Sequence, residues 1–355
     1  MPGKGFFRTR NVWRWWRRSA GVSAFCLLLS GCAAPSMEAS TAEGRAAILD
    51  ATYKALTAGQ CEKAIGIIDP AFASSGTNNE IRMARASAHA CNAGIPSFFT
   101  FIENAAAENW GVDAPPGGSY LFRSVAKLFA ETNTSVLAKR ISSSRSALQA
   151  LQSHLKTGVY VAQNHQITTS AYNPGSTLGS DRTVDSNLYL LFVSMASLGA
   201  LENRYGAPDA TAFTKGQPLG TQGATTWESY LRIDEDACLY ASSLLNLIDA
   251  YIETADALTS GLASSLGDLS VFTSVFDLAC AAGCNNQSPP VSVGGSTSGC
   301  ATNAGLCDAC PRQLRDPSVC TSTANLALGN RNPYACAAAG LINFVNRNPV
   351  LGWGS

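Results

Sequence analysis

Between Asp185 and Tyr205 the chain places Leu188, Leu190, Leu191, Phe192, Val193, Met195, Leu198 and Leu201. A helical period of 3.6 spreads these side chains nearly all the way round the axis. A helix that is apolar on every side is stable in water only when other elements cover every side. The spacing therefore predicts the centre of a core, with amphipathic helices packed around it. The expected fold class is all-α.

The N-terminus carries Lys4, Arg8, Arg10, Arg14, Arg17 and Arg18 with no acid, followed by an apolar run from Ala20 to Leu29. A basic start, a short apolar stretch and small residues beyond it form a secretory signal, too short to span a bilayer permanently. The segment closes on Leu29-Ser30-Gly31-Cys32. Leucines followed by small residues and a cysteine resemble the lipobox of bacterial lipoproteins. That resemblance implies cleavage between Gly31 and Cys32, a diacylglycerol on the Cys32 sulfur and acylation of the new amine. Ala33 stands where an Asp favours inner-membrane retention in such proteins, which implies an outer-membrane location with the lipid bilayer as the first partner. Arg17-Arg18 lacks the following residues of a twin-arginine signal, so the general secretory route is expected.

Beyond residue 31 no stretch reaches the ~18 consecutive apolar residues of a transmembrane helix. The full chain balances 25 basic against 25 acidic residues, and the leader holds six of the bases, so the mature part has an excess of six acids. An acidic, aromatic-poor chain is unsuited to nucleic acid.

Ten cysteines remain after Cys26 and Cys32: Cys61, Cys91, Cys238, Cys280, Cys284, Cys300, Cys307, Cys310, Cys320 and Cys336. An even set in an exported chain predicts a disulfide framework. Eight of them follow residue 237. Cys280 and Cys284 with Cys307-Asp308-Ala309-Cys310 would also fit a four-thiolate zinc site; disulfides are the expectation in an oxidising compartment. Redox catalysis by Cys307 and Cys310 would need a strand-to-helix setting that Pro311 and its loop-rich surroundings do not supply. Neither metal nor cofactor is expected.

The chain divides by composition. Residues 1–31 are the signal and 32–43 a small, polar, flexible tether. Helical pattern begins near Gly44, with Ile48, Ala55 and Leu56 on one face. A second helix starts at Cys61 and is expected to end near Pro70. Thr77-Asn78-Asn79-Glu80 has the spacing of a capping box, followed by Ile81, Ala84, Ala88 and Cys91 on one face and a stop at Ala93-Gly94. Pro96 suits the first turn of the next helix.

Ala58-Gly59-Gln60-Cys61-Glu62-Lys63-Ala64-Ile65, Ala71, and the stretch from Ala84 to Gly94 resemble a tetratricopeptide-like helical repeat. The likeness covers residues 44–106 within an expected hairpin unit, 44–110. Cys61 begins one helix and Cys91 nearly ends the next, so an antiparallel hairpin brings them to one end. A Cys61–Cys91 bridge is predicted, worth about 3–4 kcal/mol in the chain-entropy model.

Residues 111–284 read as a helical bundle. Helices are expected over 120–131 and 135–156, the latter with Leu137, Ile141, Leu148, Leu151 and Leu155 as its apolar stripe. Val159-Tyr160-Val161 suits a short strand. After the buried helix comes one over 234–258, acidic at its N-terminus, where the helix dipole favours acids, with Leu244, Ile248, Ile252, Ala255 and Leu258 inward. A further helix spans 266–282. Residues 285–355 form a cysteine-rich region with a last helix over 333–346.

No motif names a reaction. His89 reads as packed or capping, His154 as sitting on a helix end, and His165 as the histidine next to a long loop. Asn246, Asp249, Glu253 and Asp256 share a helical face, expected to be solvated. Asn133-Thr134-Ser135 has the glycosylation pattern and is expected to cap a helix. The loops 166–183 and 206–225 flank the buried helix and are candidate rims of a binding site. The expectation is a non-catalytic, envelope-anchored binding or scaffold protein, with a helical component of an envelope transport or assembly complex as the alternative.

Overall fold

The computed structural model describes residues 38–107, 120–151, 184–206 and 234–258, four short strand segments between 153 and 176, the turn 314–318 and residue 338. The fold is all-α. Its helices are α1 (Ala42–Thr57), α2 (Cys61–Ser75), α3 (Asn79–Ala93), α4 (Phe98–Ala107), α5 (Tyr120–Leu128), α6 (Thr134–Leu151), α7 (Val184–Tyr205) and α8 (Asp234–Leu258).

The predicted core helix is where its pattern put it. Leu190, Leu191, Phe192, Val193, Met195, Leu198 and Leu201 are all buried. Among the described residues, α8, α6, α5 and α3 pack most extensively against α7. Phe192 meets Phe101 of α4 edge-on with ring centroids 5.0 Å apart, and Phe101 lies 5.3 Å from Phe129 just beyond α5. Such aromatic contacts contribute about 0.5–1.5 kcal/mol beyond area burial.

A second, smaller core lies among α1, α2 and α3, built from Ile48, Ala55, Ala64, Ile68, Ala71, Ile81, Ala84 and Ala88. α3 serves both cores: Ala86, Ala90 and Ala93 face the larger one. Its alanines permit this, because short side chains let helices approach on two sides at once.

Caps set the boundaries. The Asn78 side chain accepts from the Ile81 amide (3.0 Å), so the α3 cap is Asn78 and not Thr77. Gly94, at φ 113°, ends α3 in the left-handed region, and the Ile95 amide reaches back to the Ala90 carbonyl (3.0 Å); glycine adopts that conformation without a Cβ penalty. Asn133 accepts from the amides of Ser135 (3.0 Å) and Val136 (3.3 Å), the cap expected at the sequon pattern. α4 starts after Ser97, whose carbonyl accepts from Phe101, so Pro96 precedes the helix and is not in its first turn.

Three helix lengths differ from expectation: α5 ends at Leu128 and not at 131, and two others differ more. α2 continues through Pro70 to Ser75. Pro70 and Gly66 lie on the exposed side, where water can serve the carbonyl that loses its partner, while Ala71 is buried and Phe72 packs against the smaller core. That packing carries the helix past a residue that usually ends one. α6 stops at Leu151, short of Lys156, because Ser153–Thr157 pairs antiparallel with Asn173–Ser176. Leu155 therefore belongs to a strand and not to the α6 stripe, and His154 lies opposite Gly175 rather than on a helix end. Tyr160–Val161, expected as a strand, pairs with Gln166–Ile167.

The segment read as a flexible tether, 32–43, is folded from Glu38 onward. Ala39 is buried, and its carbonyl accepts from Ser75 Oγ (3.1 Å) and Arg45 Nη1 (3.2 Å). Thr41 caps α1, its side chain accepting from the Gly44 amide (3.0 Å). Gly44 must be glycine, since a Cβ there would meet the Glu38 carbonyl oxygen at 2.0 Å.

Gly44→Ala tests this clasp by sign. At an open helix position the change stabilises by about 1 kcal/mol. Here the clash should reverse that, giving a destabilisation of about 1–3 kcal/mol by overpacking, measured as a lowered midpoint in urea.

Candidate functional site

Polar chemistry in the described residues gathers in two buried clusters and one surface feature. The first cluster joins α2, α3 and α6. Asp69 of α2 accepts at one oxygen from Arg85 Nε (2.8 Å) and lies 3.0 Å from His89 Nε2, Arg85 and His89 being one turn apart on α3. Arg85 also donates from Nη1 to the Ser146 carbonyl of α6 (2.8 Å), and its guanidinium sits 4.3 Å above the Phe72 ring. Arg85 and His89 are nearly buried, whereas the Asp69 side chain is 39% exposed. Partial burial pushes the Asp69 carboxyl up, but the hydrogen bonds and charges of His89 and Arg85 outweigh it and hold the carboxyl below its usual range. Burial lowers His89, helped by the Arg85 charge and opposed by Asp69.

An Asp–His pair has the parts of a general base and its orienting acid. Here no nucleophile completes it among the described residues. His89 Nδ1 is buried with no hydrogen-bond partner, and Cys91, two residues on, is oxidised. With Arg85, the pair brackets three helices, α2, α3 and α6. His89 is a packed residue, as its place in the sequence led us to expect.

The second cluster runs along α8. Near its N-terminus Asp236 accepts from the Tyr205 hydroxyl at the end of α7, and pairs with Arg145 of α6 (3.1 Å). Burial and the neighbouring Asp236 charge push the Tyr205 phenol far up, which keeps it a donor. One turn on, the Tyr240 hydroxyl donates to Glu202 of α7 (2.8 Å). Ser243 Oγ donates to the Leu239 carbonyl (2.6 Å) and bonds Ser197 Oγ of α7 (2.7 Å). Further along, Asp249 receives Arg315 in a two-pronged ion pair, Nη2 to Oδ1 at 2.9 Å and Nε to Oδ2, with both side chains wholly buried. The Arg315 carbonyl accepts from Ser242 Oγ (2.7 Å) and Asn246 Nδ2 (2.9 Å).

This corrects one expectation outright. Asn246 and Asp249 do not line a solvated face; both are buried. Glu253, one turn further, is exposed, and the side chain of Asp256 lies outside the described residues. A carboxylate can be buried when a guanidinium meets it with matched geometry. Residue 315 supplies that partner from a distant turn, so no reading of α8 alone could find it.

Of the cysteines, Cys61 and Cys91 are disulfide-bonded, with Cα atoms 5.5 Å apart, and close the α2–α3 hairpin at one end as predicted. Cys238 is also in a disulfide, whose other half lies outside the described residues. Cys32, Cys280, Cys284, Cys300, Cys307, Cys310, Cys320 and Cys336 lie outside them too. So do the 266–282 helix, all of the 333–346 helix but residue 338, His165, loop 206–225 beyond Gly206 and most of loop 166–183. Among the described residues no group of three or more His, Cys, Asp or Glu is placed to hold a metal ion, and no helix is long and apolar enough to cross a membrane.

The surface feature was missed by sequence reading. Tyr53 of α1 is the one large hydrophobic side chain exposed among the described residues, at 45%. Partial burial, then the nearby Tyr189 of α7 and Glu80 of α3, raise its phenol. On a helical wheel Tyr53 stands next to Leu49 and Leu56, the only hint its sequence context offers. Compared with protein-family models, characterised proteins and solved structures, the chain matches none.

The Asp249–Arg315 pair should be unequal in its two kinds of loss. Asp249→Ala or Arg315→Ala strands a buried charge and should cost about 3–5 kcal/mol. Asp249→Leu with Arg315→Met, which removes both charges, should cost less than either single change in chemical denaturation. The His89–Asp69 bracket predicts a pH effect. His89 takes up its proton less readily folded than unfolded, so stability should fall as pH drops from about 7 through its ordinary value of 6.5 toward the lower folded value. Asp69 adds a further loss below its ordinary 3.8, with the same sign. Thermal melts between pH 7.5 and 5 should show a smaller drop for His89→Gln than for the unchanged chain.

Proposed function

We propose that this chain is an envelope-anchored lipoprotein that works as a binding or scaffold protein, its helices presenting a surface to a protein or peptide partner of the envelope. The observation that carries the reading is the pairing of the leader ending in Leu29-Ser30-Gly31-Cys32 with the Cys61–Cys91 disulfide. Structural disulfides persist outside the reducing cytoplasm, and an export leader supplies the route there. The tetratricopeptide-like pattern over 44–106 is consistent with three antiparallel helices α1–α3, whose likeness to that repeat is part of the proposal.

For the binding role, support comes from how the polar groups are used. Asp69, His89, Asp236 and Asp249 are each engaged by other helices or turns of the same chain. Tyr53, in contrast, faces outward next to Tyr189 and Glu80. Tyrosine offers a large amphipathic surface at low entropic cost and is enriched in interfaces. The Tyr53 face is the proposed contact; the loops 166–183 and 206–225, which flank α7 in sequence, remain separate candidate rims of a binding site.

Full-length chain expressed in a Gram-negative host should lose residues 1–31, gain the mass of three acyl chains and fractionate with membranes. Cys32→Ala should give protein without acyl mass that leaves the membrane fraction on washing. An uncleaved, cytoplasmic chain with reduced Cys61 and Cys91 would overturn the proposal. Co-purification in a complex of fixed composition would shift it to a component of an envelope transport or assembly system.

A further inference from the structure

We infer that the end of the domain where α1 begins and α2 ends is its membrane-facing surface, held against the bilayer by a tether of only five residues. The inference rests on the lipoprotein reading and adds an orientation to it. Its basis is the clasp at Glu38–Thr41. Ala39 is buried in the smaller core and its carbonyl is bound by Ser75 and Arg45. The Ser40 carbonyl accepts from Arg45 as well (3.2 Å), the Thr41 hydroxyl donates to the Glu38 carbonyl (3.3 Å), and Gly44 leaves room for that carbonyl against α1. Contacts to α1 and to the last turn of α2 thus fix Glu38 to the body of the domain.

Residues 33–37 are then the whole span between an acylated Cys32 and the fold. Six Cα steps at full extension reach about 20 Å. A tether running to Gly44 would reach about 40 Å, enough for the domain to turn over freely. The short one confines the Glu38 end near the headgroups. α1 is 16 residues long, so its far end, with the Cys61–Cys91 bridge, stands about 24 Å further out along the helix axis. The near end exposes Glu38, Glu43 and Glu80; of its bases, Arg45 is bound to the clasp carbonyls and half-buried Arg82 lies over the Phe72 ring (6.0 Å). Acids are not drawn to an anionic leaflet, so the acyl chains and the short span hold this end in place.

The test uses the full-length acylated protein in phosphatidylcholine vesicles that contain a lipid with a quencher on its headgroup. A fluorescent non-natural residue replaces Glu43 or, separately, Thr57, both exposed and about 21 Å apart on α1; no new thiol is introduced. Quenching should be several-fold stronger at 43 than at 57. A long Gly-Ser insertion between Ala34 and Pro35 should erase the difference. Equal quenching at both positions in protein whose mass shows an acylated Cys32 would overturn the orientation and leave the lipoprotein reading intact. A difference that survives the insertion would overturn the short tether as its cause. An unmodified Cys32 would overturn both readings.

Discussion

The structure depends on covering α7. Its apolar residues leave no side that can face water, so it needs neighbours all round, and α3, α5, α6 and α8 supply them. The hydrophobic effect is non-directional and by itself would accept many arrangements of helices around such a rod. What selects one arrangement is the polar set embedded in the apolar contact. Tyr205 with Asp236, Glu202 with Tyr240 and Ser197 with Ser243 each link α7 to α8 at a particular height. Sliding one helix by a turn would strand all three at once, and an unpaired buried polar group is costly.

α3 carries the second constraint. It is the common wall of two cores and is held from both sides. Arg85 reaches Asp69 of α2 and the Ser146 carbonyl of α6, and Asn92 donates to Ser143 of α6 (2.8 Å). The disulfide closes the α2–α3 hairpin at the far end, while the Glu38–Thr41 clasp ties α1 to the last turn of α2 at the near end. Three helices tied at both ends of the unit, with a bracket midway, resist the splaying to which short helices are prone. The presenting surface and the stance over a membrane that we propose would both draw on that rigidity.

Arg315 does a related job for the turn 314–318. Composition after residue 285 suggests a stretch that needs cross-links to hold together. The structure adds a non-covalent anchor: one guanidinium driven into α8, with its own carbonyl held by Ser242 and Asn246. Cross-links limit the unfolded chain; the Asp249–Arg315 pair fixes where the turn 314–318 meets α8.

The sequence by itself determined the local features. The helix periods, the Asn133 cap, the stop at Gly94, the buried α7 and the Cys61–Cys91 pairing all depend on residues within a turn or two, or on two helices joined by a short turn. The α8 stripe was legible as a stripe, and Asp69 and His89 as residues on neighbouring helices. Tertiary structure decided the rest. Asn246 and Asp249 are inside because Arg315, 66 residues beyond Asp249, meets them. Pro70 lies within a helix because the turn beyond it is packed, and α6 ends early because a strand some twenty residues on competes for its last residues. Glu38–Ser40 are folded because Ser75 binds back to them. Each of these is a choice between water and a distant partner, and the energy of that choice is set by a group that local sequence does not contain.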